Sequence, residues 1–298
     1  MRKSLGVLLI LISFFSAVRG QDNKSIILPS SFQTMDERWE LSPETRKSSF
    51  RITAYKPVYV TAGRYSNNPN TRPVSENPAY SLPFRINYNN YEAKFQLSLK
   101  AKMAQGLFAG HGDLWIAYTQ KAHWQIYNEK LSRPFRELNY EPEVILNFAT
   151  KFPLLGFMGR MVGVSFVHQS NGRTLPLSRS WNRLIFHAGF ERKNWQVIFR
   201  PWIRLKDAED ENPAISNYIG RGELIVVRNF KKHQLSLQTS HSLRTGNNSH
   251  GSLLASWVLV LHKNIKAQFQ VADGYGETLM DYNHKQVTYG ISLSLIEW

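Results

Sequence analysis

Hydrophobic and polar residues alternate along most of this chain. Phe95, Leu97 and Leu99 are separated by Gln96, Ser98 and Lys100. The same period of two runs through Leu114, Ile116 and Tyr118, then Val144, Leu146 and Phe148, then Val162, Val164 and Phe166. It returns in Leu184, Phe186, Ala188 and Phe190, in Trp195, Val197 and Phe199 against Gln196 and Arg200, in Leu235 and Leu237, and in Tyr289, Ile291, Leu293 and Leu295. Successive side chains of a strand point to opposite faces, so each stretch has one apolar and one polar wall. The pattern predicts strands over 51–60, 91–102, 113–124, 142–150, 160–170, 181–192, 195–205, 216–228, 233–243, 252–261, 265–273 and 286–296, an even set of 12. Alternating segments of about 10 residues, even in number and separated by turn residues, are the signature of a transmembrane antiparallel β-barrel.

The connections sort by parity. Those at 61–90, 125–141, 171–180, 206–215, 244–251 and 274–285 are mostly long and polar, whereas 193–194, 229–232 and 262–264 are tight. The segments 103–112 and 151–159 belong to the second set and are expected to be longer. Bacterial barrels place short turns in the periplasm and longer loops outside. Residues 21–50 lack clean alternation and are expected to form a periplasmic extension ahead of a barrel over 51–298. The soluble alternative is an antiparallel sandwich, which also alternates but seldom needs a meander this long.

The remaining composition fits export. Arg2 and Lys3 precede an apolar run from Leu5 to Phe15, too short to span a bilayer as a helix, and Val18 and Gly20 fit cleavage before Gln21. Residues 1–20 therefore read as a signal peptide, an uncleaved anchor being the alternative. Their removal lowers the formal charge from +15 to +12. Export argues against nucleic acid as the partner of that charge and favours anionic lipid head groups, simple solubility being the alternative. With no cysteine, neither disulfides nor thiolate chemistry can operate. The longest apolar run of the mature part, Leu253 to Leu261, is interrupted by Ser256, which excludes a helical membrane protein.

Familiar catalytic signatures are missing: there is no G-x-S-x-G elbow, phosphate-binding loop or H-E-x-x-H pair. One strand nevertheless carries chemistry. Val162, Val164, Phe166, His168 and Ser170 share a face, and that face must look at lipid. After the connection 171–180, Asn182 heads the apolar stripe of Leu184, Phe186, Ala188 and Phe190. Polar groups on a lipid-side face are costly and point to function. Serine becomes a nucleophile when an imidazole takes its proton, and a third group fixes the imidazole tautomer. Asparagine does this without placing a charge beside hydrocarbon. The bland reading is three rim residues that mark the membrane boundary.

The stretch His168-Gln169-Ser170-Asn171-Gly172-Arg173, followed by Ser178-Arg179-Ser180-Trp181-Asn182-Arg183, resembles the outer-membrane phospholipase A family. So do Tyr118-Thr119-Gln120-Lys121, Pro134-Phe135-Arg136-Glu137, Asn139-Tyr140-Glu141-Pro142, Gly274-Tyr275-Gly276-Glu277 and Asp281-Tyr282-Asn283, in order from about Phe95 to the end of the chain. The resemblance implies a barrel in the outer membrane of a Gram-negative-type bacterium. It implies Ser170 as nucleophile, His168 as base and Asn182 as orienter, acting on phospholipid and lysophospholipid esters. It further implies a homodimer that binds calcium (Ca2+) through the Arg173 carbonyl and the Ser178 hydroxyl of one subunit and Ser132 of the other. An acidic ligand falls at Glu211 or Asp210, because the loop 206–215 is longer by a residue than the family pattern. Leu138 departs from that pattern, standing where the family has a threonine. Gln120 continues a lipid-facing stripe and would meet its partner across the dimer axis; a rim glutamine is the alternative. Without the enzymatic reading, the chain would be a pore or an adhesin barrel, with Gln196, Arg200 and Arg204 lining an anion path.

Overall fold

The computed structural model describes residues 32–262 and 265–298, so the expected signal peptide, the first part of the expected 21–50 extension and part of the 262–264 turn lie outside it. Strands β1 (Ile52–Ala54), β2 (Val58–Ser66), β3 (Tyr91–Gly106), β4 (Gly112–Trp124), β5 (Glu137–Leu154), β6 (Phe157–Ser170) and β7 (Ser180–Arg192) come first. They are followed by β8 (Trp195–Leu205), β9 (Gly222–Phe230), β10 (His233–His241), β11 (Gly251–His262), β12 (Ile265–Gly274) and β13 (Gln286–Ile296). From β2 onward each strand pairs antiparallel with the next, and β13 returns to pair with β2. The sheet is thereby closed and has no free edge.

The first strand differs from its sequence expectation. β1 pairs with the inner half of β3 (Ile52↔Ala101), and β2 pairs with its outer half (Tyr59↔Gln96). The two are successive pieces of one stave, giving a 12-stranded barrel. Pro57 lies between them, and a residue without an N–H cannot serve the ladder there. The stave continues to Ser66 rather than ending at residue 60. Its pairing with β13 carries two register shifts.

Two connections expected to be long prove tight. β5 and β6 run on to a turn at Leu155 (φ 49°) and Gly156 (φ 79°), the doubly positive geometry that matches strand twist. β3 and β4 extend until residues 107–111 suffice. Short turns therefore occupy one end throughout, and long loops the other. The strand expected from 216 starts at Gly222, because Ile215–Tyr218 forms a helical turn.

The walls follow the alternation. Ile116, Phe166, Phe186, Phe199, Ile291 and Leu293 are exposed on the outside. An apolar belt of this kind suits lipid. Inside, many of the charges are paired. Glu143 accepts from Arg200 at 2.9 Å and from Ser165 at 2.7 Å. Glu92 gathers Arg64 (2.7 Å), Arg136 (2.8 Å) and His123 (2.8 Å). The candidate channel residues are spent in the same way: Arg200 also reaches Glu223 at 3.0 Å, Gln196 donates to the Gln33 carbonyl, and Arg204 pairs with Asp210. A cavity of about 180 Å³ remains in this polar middle.

Apolar residues close the two ends. A short helix, α1 (Met35–Trp39), starts on a Thr34–Glu37 capping box and enters the short-turn end. Met35 and Trp39 pack there with Tyr55, Trp115, Ile145 and Met161. The buried Lys100 ammonium lies 3.3 Å from the Trp39 ring centre and 4.5 Å from that of Trp115, a cation–π grip on the helix. Arg38 donates to the Glu297 carbonyl at 2.8 Å, tying α1 to the segment just after the last strand. At the other end Val167, Trp181, Trp202, Ile215, Leu279 and Tyr282 cluster beneath the loops.

Candidate active site on the outer wall

β6 and β7 place His168 opposite Asn182 and Ser170 opposite Ser180. His168, Ser170 and Asn182 are half-buried and share the outward face with exposed Phe166 and Phe186. His168 Nδ1 is 2.8 Å from Asn182 Oδ1. A carbonyl oxygen only accepts, so Nδ1 carries the proton and Nε2 keeps its lone pair. Ser170 stands two residues further up the same strand, about 7 Å along it. Among the described residues its hydroxyl has no side-chain hydrogen-bond partner; catalytic contacts of this type often tighten only when substrate is bound.

The residues interleaved with these build the frame. Trp181 and Gln169 face inward and bond at 2.7 Å, and the Arg183 guanidinium stacks 4.1 Å from the Trp181 ring centre. Asn171, buried at the head of the loop, accepts from the backbone of Arg179 at 3.0 Å and donates to the Leu177 carbonyl at 2.8 Å. Gly172 adopts φ 61°, and a Cβ there would meet the Tyr140 ring at 3.1 Å. The Arg173 guanidinium donates to the Phe135 carbonyl at 2.8 Å and the Arg136 carbonyl at 2.5 Å, and Arg179 donates to the Tyr80 carbonyl at 2.7 Å. The long motif is thus mostly loop architecture around a few outward side chains.

Of the candidate calcium ligands, Ser178 and Glu211 meet: the hydroxyl donates to Glu211 Oε1 at 2.5 Å. Asp210 turns away to Arg204 at 2.6 Å. Glu211 Oε2 is buried and has no hydrogen-bond partner among the described residues. An unbalanced carboxylate oxygen beside a hydroxyl suits a hard cation. Arg173 lies in the same loop as Ser178, while no hydrogen bond joins Ser132 to either Ser178 or Glu211; the Ser132 carbonyl accepts from Trp124 Nε1 at 2.6 Å. Among the described residues no group of three or more His, Cys, Asp or Glu side chains is placed to hold a metal. Gln120, the candidate contact residue, pairs across to Tyr140, which pairs to Ser170. Gln120 therefore lies in the same rim row as the serine, two strands away, about 10 Å. Its amide oxygen accepts from Tyr118 at 3.3 Å.

One neighbour was not anticipated from the sequence. The Asn182 amide donates to Asp207 Oδ1 at 2.8 Å. Asp207 sits in the loop after β8, which the loop before β3 holds in place. Ser75 donates to the Glu211 carbonyl at 2.7 Å, Asn77 to the Asp210 carbonyl at 3.0 Å, and Tyr80 to the Glu209 carboxylate at 2.8 Å. That last bond, with burial, pushes the Tyr80 phenol up to about 12, so it remains a donor.

A closed barrel with an apolar outer wall, carrying a bonded histidine–asparagine pair and a serine on that wall, defines a β-barrel membrane protein with the side chains of a hydrolase. The phospholipase A1 family model matches residues 35–295, and the chain belongs to that family. It is an ester hydrolase of the outer membrane. Phospholipase A1 of Escherichia coli strain K12 is 36% identical over 225 residues, covering 76% of each chain. Phospholipase A1 of Klebsiella pneumoniae is 36% identical and covers 76% of this chain and 77% of its own. The outer membrane phospholipase of Salmonella typhi, solved as a dimer with bound calcium, superposes with a TM-score of 0.76 at 33% identity, covering 85% of this chain and 94% of that one.

Proposed function

We propose that the protein hydrolyses the acyl esters of phospholipids and lysophospholipids at the outer leaflet, with Ser170 as nucleophile, His168 as base and Asn182 as orienter. The His168–Asn182 bond of 2.8 Å on the lipid-facing side, with Ser170 above it, is the observation that carries this reading. Ser170 Oγ attacks the ester carbonyl while His168 Nε2 takes the hydroxyl proton. Asn182 Oδ1 holds the Nδ1 proton and steadies the imidazolium. The tetrahedral species expels the alcohol, which receives the proton from His168. Water, activated by the same imidazole, then cleaves the acyl-serine. Calcium, when bound, supplies positive charge that stabilises the oxyanion.

The residues that would hold it are Ser178, the Arg173 carbonyl and Glu211, with Ser132 reaching in from a second copy. A complete site then forms only in a homodimer, whose contact includes Gln120, so calcium and dimer formation strengthen each other. Residues 1–20 direct export, and the short-turn end, which α1 enters, faces the periplasm. The test is hydrolysis of phospholipid in mixed micelles while calcium is titrated and the dimer fraction is followed by sedimentation. Activity and dimer should rise together. Full activity in dilute monomer, or a dimer fraction indifferent to calcium, would refute the shared site.

A further inference from the structure

An asparagine offers an imidazole two equivalent-looking ends. With Oδ1 turned to His168, the ring is protonated on Nδ1 and Nε2 can accept the Ser170 proton. With the amide flipped, Nδ2 donates to Nδ1, the ring proton moves to Nε2, and the base is lost. Asn182 cannot choose between these by itself. Asp207 can: its carboxylate is an acceptor only, and at 2.8 Å it holds Nδ2, which leaves Oδ1 for His168. We propose that Asp207 is a positioning residue that sets the His168 tautomer through Asn182. The proposal rests on the hydrolytic reading of Ser170 and His168.

The placement also settles where the negative charge resides. Asp207 is exposed on the loop, one side chain removed from the apolar wall. A carboxylate hydrogen-bonded to an amide polarises it, making the far oxygen a better acceptor for a developing imidazolium. The charge therefore contributes without being buried beside hydrocarbon. The loop is fixed for this task by Tyr80, Ser75 and Asn77, and by Arg204, which donates to the Pro213 carbonyl at 2.9 Å and to Asp210 at 2.6 Å.

The experiment uses the full chain in detergent with calcium at a level that saturates the wild type. Asp207→Ala should lower kcat about tenfold with little change in KM, the size of a lost hydrogen bond to a charged group. Asp207→Asn, which can still accept from Asn182, should restore part of that loss. In an Asn182→Ala background, Asp207→Ala should have no further effect. Nitrogen NMR of labelled imidazole should find neutral His168 as the Nδ1–H form in the wild type and a mixture in Asp207→Ala. Additive losses in the double variant, recovery of Asp207→Ala on adding more calcium, or an unchanged tautomer would overturn the proposal; recovery would make Asp207 a calcium ligand instead. Absence of Ser170-dependent hydrolysis in the wild type would defeat the catalytic reading alone, since the tautomer measurement still reports whether Asp207 governs the ring.

Discussion

At the short-turn end, Met35 and Trp39 enter the barrel and are covered by Tyr55, Trp115 and Ile145. At the long-loop end, closure relies more on bonds between loops: Arg173 to the Phe135 carbonyl, Arg179 to the Tyr80 carbonyl, Ser178 to Glu211 and Arg136 to Asp281. Apolar closure needs area and shape, and it is complete within one chain. Polar closure needs every group matched, and among the unmatched buried atoms Glu211 Oε2 belongs to a carboxylate already bonded to the Ser178 hydroxyl. The end that is finished by packing holds the barrel shut; the end where a carboxylate and a hydroxyl meet can still answer to a cation.

The sharpest test of that division removes chemistry without touching closure. Ser170→Ala should lower hydrolysis roughly 10³-fold or more while heat-modifiable gel migration still reports a folded barrel. His168→Ala should match it, and Asn182→Ala should retain more activity, since an orienter only biases the ring. The converse change is Trp39→Ala, which removes a buried indole from the short-turn end and should cost about 3 kcal/mol of unfolding free energy. Its kcat should be unaltered at temperatures where the barrel is folded; a large loss of kcat would mean that the two ends are not independent.

A smaller effect is expected from Ser178→Ala, which should raise the calcium needed for half-maximal activity and dimer about tenfold. Unfolding without calcium should barely change. The smallest concerns Glu277 in the loop before β13. Burial alone would raise its carboxyl, but Arg64 and Lys94 hold it well below the usual carboxylate range. A depressed folded value means that the stabilisation is full above the ordinary carboxylate value and is lost as pH falls through the folded one. Glu277→Gln should therefore cost roughly 1 kcal/mol at neutral pH, with the gap to wild type narrowing in acid. Thermal melts across pH check the sign.

The barrel was legible because its rule is strict: outward residues meet lipid and inward ones meet ions, so period two persists from Phe95 to Leu295. His168 and Asn182 could be paired from sequence because each stands at the head of an apolar stripe on adjacent strands. The break at Pro57 was readable from proline chemistry, yet the flanking alternation concealed it. Leu155-Gly156 lacks the Asn-Gly signal of a tight hairpin, so strands that extend to it were read as loop. Met35 and Trp39 have the spacing of one helical turn, too short a signal to stand out. The acids from Asp207 to Glu211 look alike in sequence; only the fold sends Glu211 to Ser178, Asp210 to Arg204 and Asp207 to Asn182. A carbonyl ligand, as proposed for Arg173, leaves no mark on residue type at all, and that expectation came from resemblance.

The bond from Arg38 to the Glu297 carbonyl joins almost the first described residue to almost the last. It spans the seam where β13 meets the Pro57-interrupted stave, the pairing with two register shifts. A ribosome makes Arg38 long before Glu297, so this link cannot form until every strand of the barrel has been made. Lys266 reaches the Glu297 carboxylate at 2.5 Å, and Gln234 the Trp298 carbonyl at 2.7 Å. A chain ending at Ile296 would retain every strand pairing, the β13–β2 ladder included, and lose all three fastenings. The seam thus has a ladder and a clasp: the ladder closes the sheet, and the segment after β13 locks what the ladder has closed.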